Sequence, residues 1–170
     1  ELLENNALDN IIVIRSMSKN YGLPGVRLGF IYTCNNLLYD KILSNIPIWN
    51  LNSIAEFYLE TILKNKISLL ESFEKTKEDR EEFILNLKKI NLIEEVYSSG
   101  ANFVLFSIKS TSVNSNNILN FLIKEYNIFI KETSEKMNIQ NKYFFRVAVR
   151  LPKENKKLIN AILKLELTNE

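Results

Sequence analysis

Four branched apolar residues in a row, Ile11 to Ile14, and a second apolar run from Val26 to Thr33 predict two strands near the start of the chain. Uninterrupted runs of this kind predict burial on both faces, as in a parallel sheet. Before them, residues Leu2 to Asn10 are polar with a few leucines and are expected to end a helix or form a loop. After them, Asn35 or Asn36 supplies a cap for a short helix through Ile46, which Pro47 breaks. A second helix follows from about Asn52 to Lys64, where Ile54, Phe57, Tyr58, Ile62 and Leu63 recur at helical spacing. A longer one, Ile67 to Ile90, is apolar at Leu70, Phe73, Phe83, Ile84 and Leu87. Its middle, KTKEDREE, has the composition of a solvated face.

The rhythm then changes. Short strands are predicted at Glu95 to Tyr97, Asn102 to Ile108, Ile128 to Lys131 and Tyr143 to Arg150, with a helix from about Asn114 to Tyr126. A last helix runs from Pro152, which suits its first turn, to Leu165, and the polar segment Glu132 to Lys142 reads as a loop. The expectation is an α/β chain in two parts. Residues 1–75 hold buried, mostly parallel strands with helices, and residues 76–170 form a small α+β domain with a mostly antiparallel sheet.

Glycine is rare, four in 170 residues, yet Gly22, Gly25 and Gly29 fall together with Pro24 inside SMSKNYGLPGVRLGF, Ser16 to Phe30. A chain that gathers its glycines in one place requires unusual backbone geometry there. The same stretch carries Ser16, Ser18, Lys19 and Arg27 directly after a predicted strand. Hydroxyls, loop N–H groups and a guanidinium fork suit an anionic, phosphorylated ligand. The layout also suits covalent chemistry at the lysine, whose amine reacts only when unprotonated and is brought toward that state by a neighbouring cation and partial burial.

Composition narrows the chemistry further. Twenty-two basic against twenty acidic side chains leave a net charge of +2, which argues against nucleic-acid and membrane partners. No apolar run is long enough to span a bilayer, and the first residues, ELLENN, are acidic, so a cytoplasmic protein is expected. The single cysteine, Cys34, has no internal disulfide partner, favours a reducing compartment and is expected to be a small buried side chain. There is no histidine, which removes Ser-His and Cys-His nucleophile pairs and histidine metal sites and leaves lysine as the first acid–base candidate.

SMSKNYGLPGVRLGF resembles the lysine segment of the class I/II pyridoxal-phosphate aminotransferases of fold type I, patterned Ser-x-Ser-Lys-x-x-Gly-Leu-x-Gly-x-Arg-x-Gly. SSGANFVLF and FFRVAVRLPKENKKLI extend the likeness toward the histidinol-phosphate aminotransferase branch. The resemblance implies the end of the large cofactor-binding domain followed by the whole small domain. It implies pyridoxal 5'-phosphate as cofactor, amino-acid and 2-oxo-acid substrates, and a homodimer. Lys19 would form the Schiff base and shuttle the proton at Cα. Ser16 and Arg27, with Ser18 assisting, would hold the cofactor phosphate. Arg146 would take the substrate carboxylate fork-to-fork, and Asn102 stands where the family places a residue near the substrate.

In that family the groups contacting the pyridine ring lie upstream of the lysine, so the resemblance implies the C-terminal half of an enzyme, inactive in isolation. Arg150 stands where the histidinol-phosphate branch usually has glycine, and the RVAVR ending resembles threonine-phosphate decarboxylases. Three readings follow: an aminotransferase, a decarboxylase on the same scaffold, or a non-catalytic domain keeping the fold. Arg150 is either a second anion contact or plain surface. Trp49, Asn50 and Asn52 line a pocket or dimer contact or simply pack, and Tyr21 is packing or pocket wall.

Overall fold

A computed structural model describes residues 9–110, 113–137 and 139–167, so the expectation for Leu2 to Asn10 lies almost wholly outside the described residues. The chain divides between Leu69 and Leu70 into two compact units.

In the first unit, β1 (Ile12–Ser16) pairs with β2 (Gly29–Thr33) as an antiparallel ribbon, from Ile12 opposite Thr33 to Ser16 opposite Gly29. The α/β character is as expected, but the parallel direction and the burial of these strands are not found. Direction follows from the connection. Parallel neighbours need a crossover, usually a helix, whereas residues 17–28 contain a single 3-10 turn at Pro24–Val26. The N–H of Met17 donates to the Leu28 carbonyl at 2.9 Å and continues the ladder past the strand ends. Ile14 is 75% exposed. Branched residues favour an extended backbone, but burial on both faces needs further layers that a two-stranded ribbon does not have.

Two asparagines start the helices of this unit. The Asn35 side chain accepts from Leu38 N–H at 3.0 Å to cap α1 (Asn36–Leu43), and Asn52 accepts from Ala55 N–H at 2.9 Å to cap α2 (Ser53–Lys64). Each satisfies one of the N–H groups that a helix start leaves unpaired. The core is small: Val26, Leu28 and Ala55, with Met17, Tyr58 and Leu59 packed against them.

α3 (Lys66–Leu87) carries the chain through the division. Its charged middle forms exposed pairs of Lys75 with Glu78 and of Lys77 with Glu74, as a solvated face should, while Asp79, which Lys75 also approaches at 3.9 Å, is largely covered. In the second unit, β3 (Glu95–Val96), β4 (Phe103–Lys109), β5 (Lys131–Glu132) and β6 (Lys142–Ala148) form an antiparallel sheet of order β3-β4-β6-β5. One face of that sheet, with Val104, Phe106, Ile108, Phe145 and Val147, builds the core. Against it lie Phe83 and Leu87 of α3, Ile118 and Leu122 of α4 (Ser115–Tyr126), and Leu158 and Ile162 of α5 (Pro152–Leu167).

In the second unit two strand boundaries differ from expectation by more than one residue. β5 begins at Lys131 rather than Ile128, because α4 ends on Asn127 in the left-handed region, φ 53, and the chain must first turn back. β6 ends at Ala148 rather than Arg150. The Asn155 side chain takes both the N–H and the carbonyl of Arg150, at 2.9 and 2.8 Å, and so turns the chain into α5 instead of the ladder. The polar segment expected as a loop contains a 3-10 turn at Ser134–Lys136.

Candidate functional site

The glycine-rich stretch leaves β1 at Ser16 and rejoins the ribbon at Gly29. Its glycines are not equivalent. Gly22 has φ +75, a conformation that favours glycine, and a Cβ on Gly29 would stand 2.8 Å from the Arg15 carbonyl oxygen, while nothing lies within 4 Å of one on Gly25. We expect Gly29→Ala to push the two strands apart and cost about 1–3 kcal/mol. Gly25→Ala should change stability by no more than about 0.5 kcal/mol. The midpoints of urea unfolding for the two variants check this.

Within the loop, the Ser16 hydroxyl donates to the Ser18 hydroxyl at 3.0 Å and accepts from the Ser18 N–H at 3.3 Å. Arg27 holds a left-handed backbone, φ 59, and its guanidinium donates to the Pro24 carbonyl at 3.1 Å. Ser16, Ser18 and Arg27 line one cavity of about 580 Å³, walled by Phe30 and Ile31 of β2 and Tyr39 and Ile42 of α1. Lys19 lies on the turn directly after buried Ser18 and is itself exposed. The partial burial expected of it is not found among the described residues.

Two side chains, one from α2 and one from its N-cap, reach this loop. Tyr58 donates its hydroxyl to the Tyr21 carbonyl, and Asn52 donates through Nδ2 to the Val26 carbonyl at 3.2 Å. Tyr21 is half-buried, Asn50 lines the cavity, and Trp49, 92% exposed, does not pack. Cys34 is half-buried rather than enclosed, 3.4 Å from the Tyr32 hydroxyl, because β2 delivers it to the open end of the ribbon.

The remaining candidates belong to the second unit. Arg146 is exposed on β6 with its guanidinium 5.2 Å from the centre of the Phe103 ring, a cation–π contact that orients the fork. Asn102 is exposed just before β4, and its carbonyl accepts from Val149 N–H at 2.9 Å. Arg150 pairs with Glu154 at 2.9 Å in the open. That hydrogen bond holds the Glu154 carboxyl below its ordinary range and the Arg150 guanidinium above its own. Arg150 lies beyond the end of β6 and is exposed.

Sequence reasoning missed Lys131, which stands directly opposite Arg146 across β5 and β6. Like charges facing each other on a sheet are unfavourable, and among the described residues neither is salt-bridged to a carboxylate. Paired cations of this kind suit a ligand with several anionic oxygens. Nothing in the sequence gives the strand register that brings them together.

Chemically, the first unit offers two hydroxyls, a guanidinium and loop N–H groups around one cavity, with a primary amine on the adjoining turn. That donor set fits a phosphate whose carrier bears an aldehyde for the amine. Among the described residues, no carboxylate lines the cavity.

Residues 2–162 match the family model described as aminotransferase class I and II. The chain is 36% identical over 154 residues to a histidinol-phosphate aminotransferase of Clostridium novyi, covering 91% of this chain and 40% of that protein. It is 28% identical over 156 residues to the L-serine phosphate decarboxylase of Sulfurospirillum multivorans, covering 90% and 38% respectively. The crystal structure of the histidinol-phosphate aminotransferase from Clostridium acetobutylicum superposes with a TM-score of 0.79 at 31% identity, over 92% of this chain and 46% of that one. The chain thus spans less than half the length of these proteins.

Proposed function

Since this chain belongs to the class I and II aminotransferases, a pyridoxal-phosphate-dependent family, we propose that it contributes the lysine and phosphate-binding loop of an enzyme acting on a phosphorylated amine or amino acid. The observation that carries this reading is the shared cavity of Ser16, Ser18 and Arg27 next to the Lys19 turn. When bound, the cofactor supplies an aldehyde and an electron-accepting ring. Ser16, Ser18 and Arg27 would hold its phosphate. Lys19 Nζ would carry its aldehyde carbon and, when free, take the proton from substrate Cα and return one.

Arg146, aimed by the Phe103 ring, would grip the anionic group of the substrate, with Lys131 adding a second cation and Asn102 at the edge of the same site. The likeness to enzymes of histidinol phosphate and serine phosphate supports a phosphorylated substrate. The partner of the pyridine nitrogen would come from what the relatives carry outside the matched span. Exposed Ile48 and Trp49 support a covering surface, which we assign to a homodimer working in the cytoplasm. None of the helices in the described residues is long and apolar enough to cross a membrane.

Amino transfer is the first reading. Decarboxylation is the second, favoured by the match to L-serine phosphate decarboxylase, because the bond broken at Cα depends on how the substrate is held against the cofactor. The test uses this chain completed with the remaining half and given phosphorylated amino substrates with pyridoxal phosphate. Release of a 2-oxo or aldehyde product with transfer of nitrogen to an acceptor supports amino transfer, and release of carbon dioxide with nitrogen retained supports the second reading. Neither product from any such substrate contradicts both.

A further inference from the structure

We infer that Asn52, the N-cap of α2, and Tyr58 within it are positioning residues that set the spacing of Lys19 and Arg27, an inference that rests on the cofactor role proposed for this loop. The loop's own bonds are short in range and mostly long in distance. Tyr21 N–H reaches Met17 at 3.3 Å, Gly22 N–H reaches Lys19 at 3.4 Å and Val26 N–H reaches Leu23 at 3.3 Å. With Gly22 at φ +75 and residues 22–25 exposed, such turns alone leave the backbone many conformations.

The two tethers from α2 are of another kind, spanning 37 and 26 residues of sequence. One grips the carbonyl of Tyr21, two residues past the amine. The other grips the carbonyl of Val26, immediately before the guanidinium. Between them Ala55, fully enclosed against Val26 and Leu28, fixes how closely the helix approaches. Asn52 does two jobs with its two ends: Oδ1 caps α2 through Ala55 N–H, and Nδ2 holds the loop. The start of α2 and the geometry of the loop are therefore coupled through one side chain.

The variants that separate these jobs are Asn52→Ser, which keeps a capping oxygen but is too short to reach Val26, and Tyr58→Phe, which keeps the ring and loses the hydroxyl. Both are made in the full chain, singly and together. Hydrogen exchange of the amides of residues 19–27 is followed beside those of α2. The rate of borohydride-trapped labelling at Lys19 by pyridoxal phosphate is compared with that by pyridoxal, which lacks the phosphate. For the double variant we expect about tenfold faster loop exchange, unchanged α2 amides, and a several-fold fall in the preference for the phosphorylated aldehyde. A merely structural role would not move that preference.

Loop exchange unchanged by the double variant, or a preference unchanged while the loop loosens, overturns the inference. If the unaltered chain shows no preference at all, the cofactor reading fails and the positioning role with it. The exchange rates then still decide whether the tethers hold the loop.

Discussion

Lys19→Ala removes the covalent labelling of this loop by pyridoxal phosphate and, in the completed enzyme, lowers turnover by at least about 10³-fold, within the range that a positioned proton-transfer group contributes. The loss is chemical rather than structural. Lys19 is exposed on a turn, so helix content and unfolding midpoint should stay as they are. Lys19→Arg sharpens the result. It keeps a positive charge and a similar length, but a guanidinium stays protonated at any working pH and can neither carry an aldehyde nor accept a proton. Equal loss in both variants, with folding intact, assigns the function to the unprotonated amine. Recovery in Lys19→Arg would mean that only charge matters.

The second large effect is expected at Arg146. Arg146→Ala should weaken capture of the anionic substrate by about 30- to 1000-fold, equivalent to about 2–4 kcal/mol, seen chiefly as a raised KM. Arg146→Lys should recover only part of it, because an ammonium supplies charge without the two parallel donors of the fork. Stability should hardly move, since Arg146 is exposed and already faces Lys131 across the sheet. A KM unchanged in Arg146→Ala, with turnover also intact, would remove this residue from the site.

Much of this architecture is written in local signals. A short amide side chain satisfies an unpaired N–H at a helix start: of the two asparagines offered for the first helix Asn35 is the cap, and Asn52, read only as the approximate start of the second, caps that one. The antiparallel sheet of the second unit follows from alternation along β4 and β6, where Val104, Phe106, Phe145 and Val147 face the core. What could not be read locally is anything set by distant partners. The run Ile11 to Ile14 says strand, but direction and burial depend on a loop without a crossover helix and on neighbouring layers. The opposition of Lys131 and Arg146 depends on register, and the Asn155 clamp that ends β6 before Arg150 depends on a side chain five residues away. The glycine cluster marks the cavity of Ser16, Ser18 and Arg27, while the reach of Asn52 and Tyr58 into that loop has no sequence signature beyond an asparagine in a cap position.

The most direct measurement is a map of all lysines in the unaltered chain after limited labelling with pyridoxal phosphate, borohydride reduction and peptide mass analysis, with and without excess inorganic phosphate. The account predicts label concentrated at Lys19 and reduced there by phosphate. Label spread over exposed lysines such as Lys66, Lys109 and Lys153, and indifferent to phosphate, would contradict it.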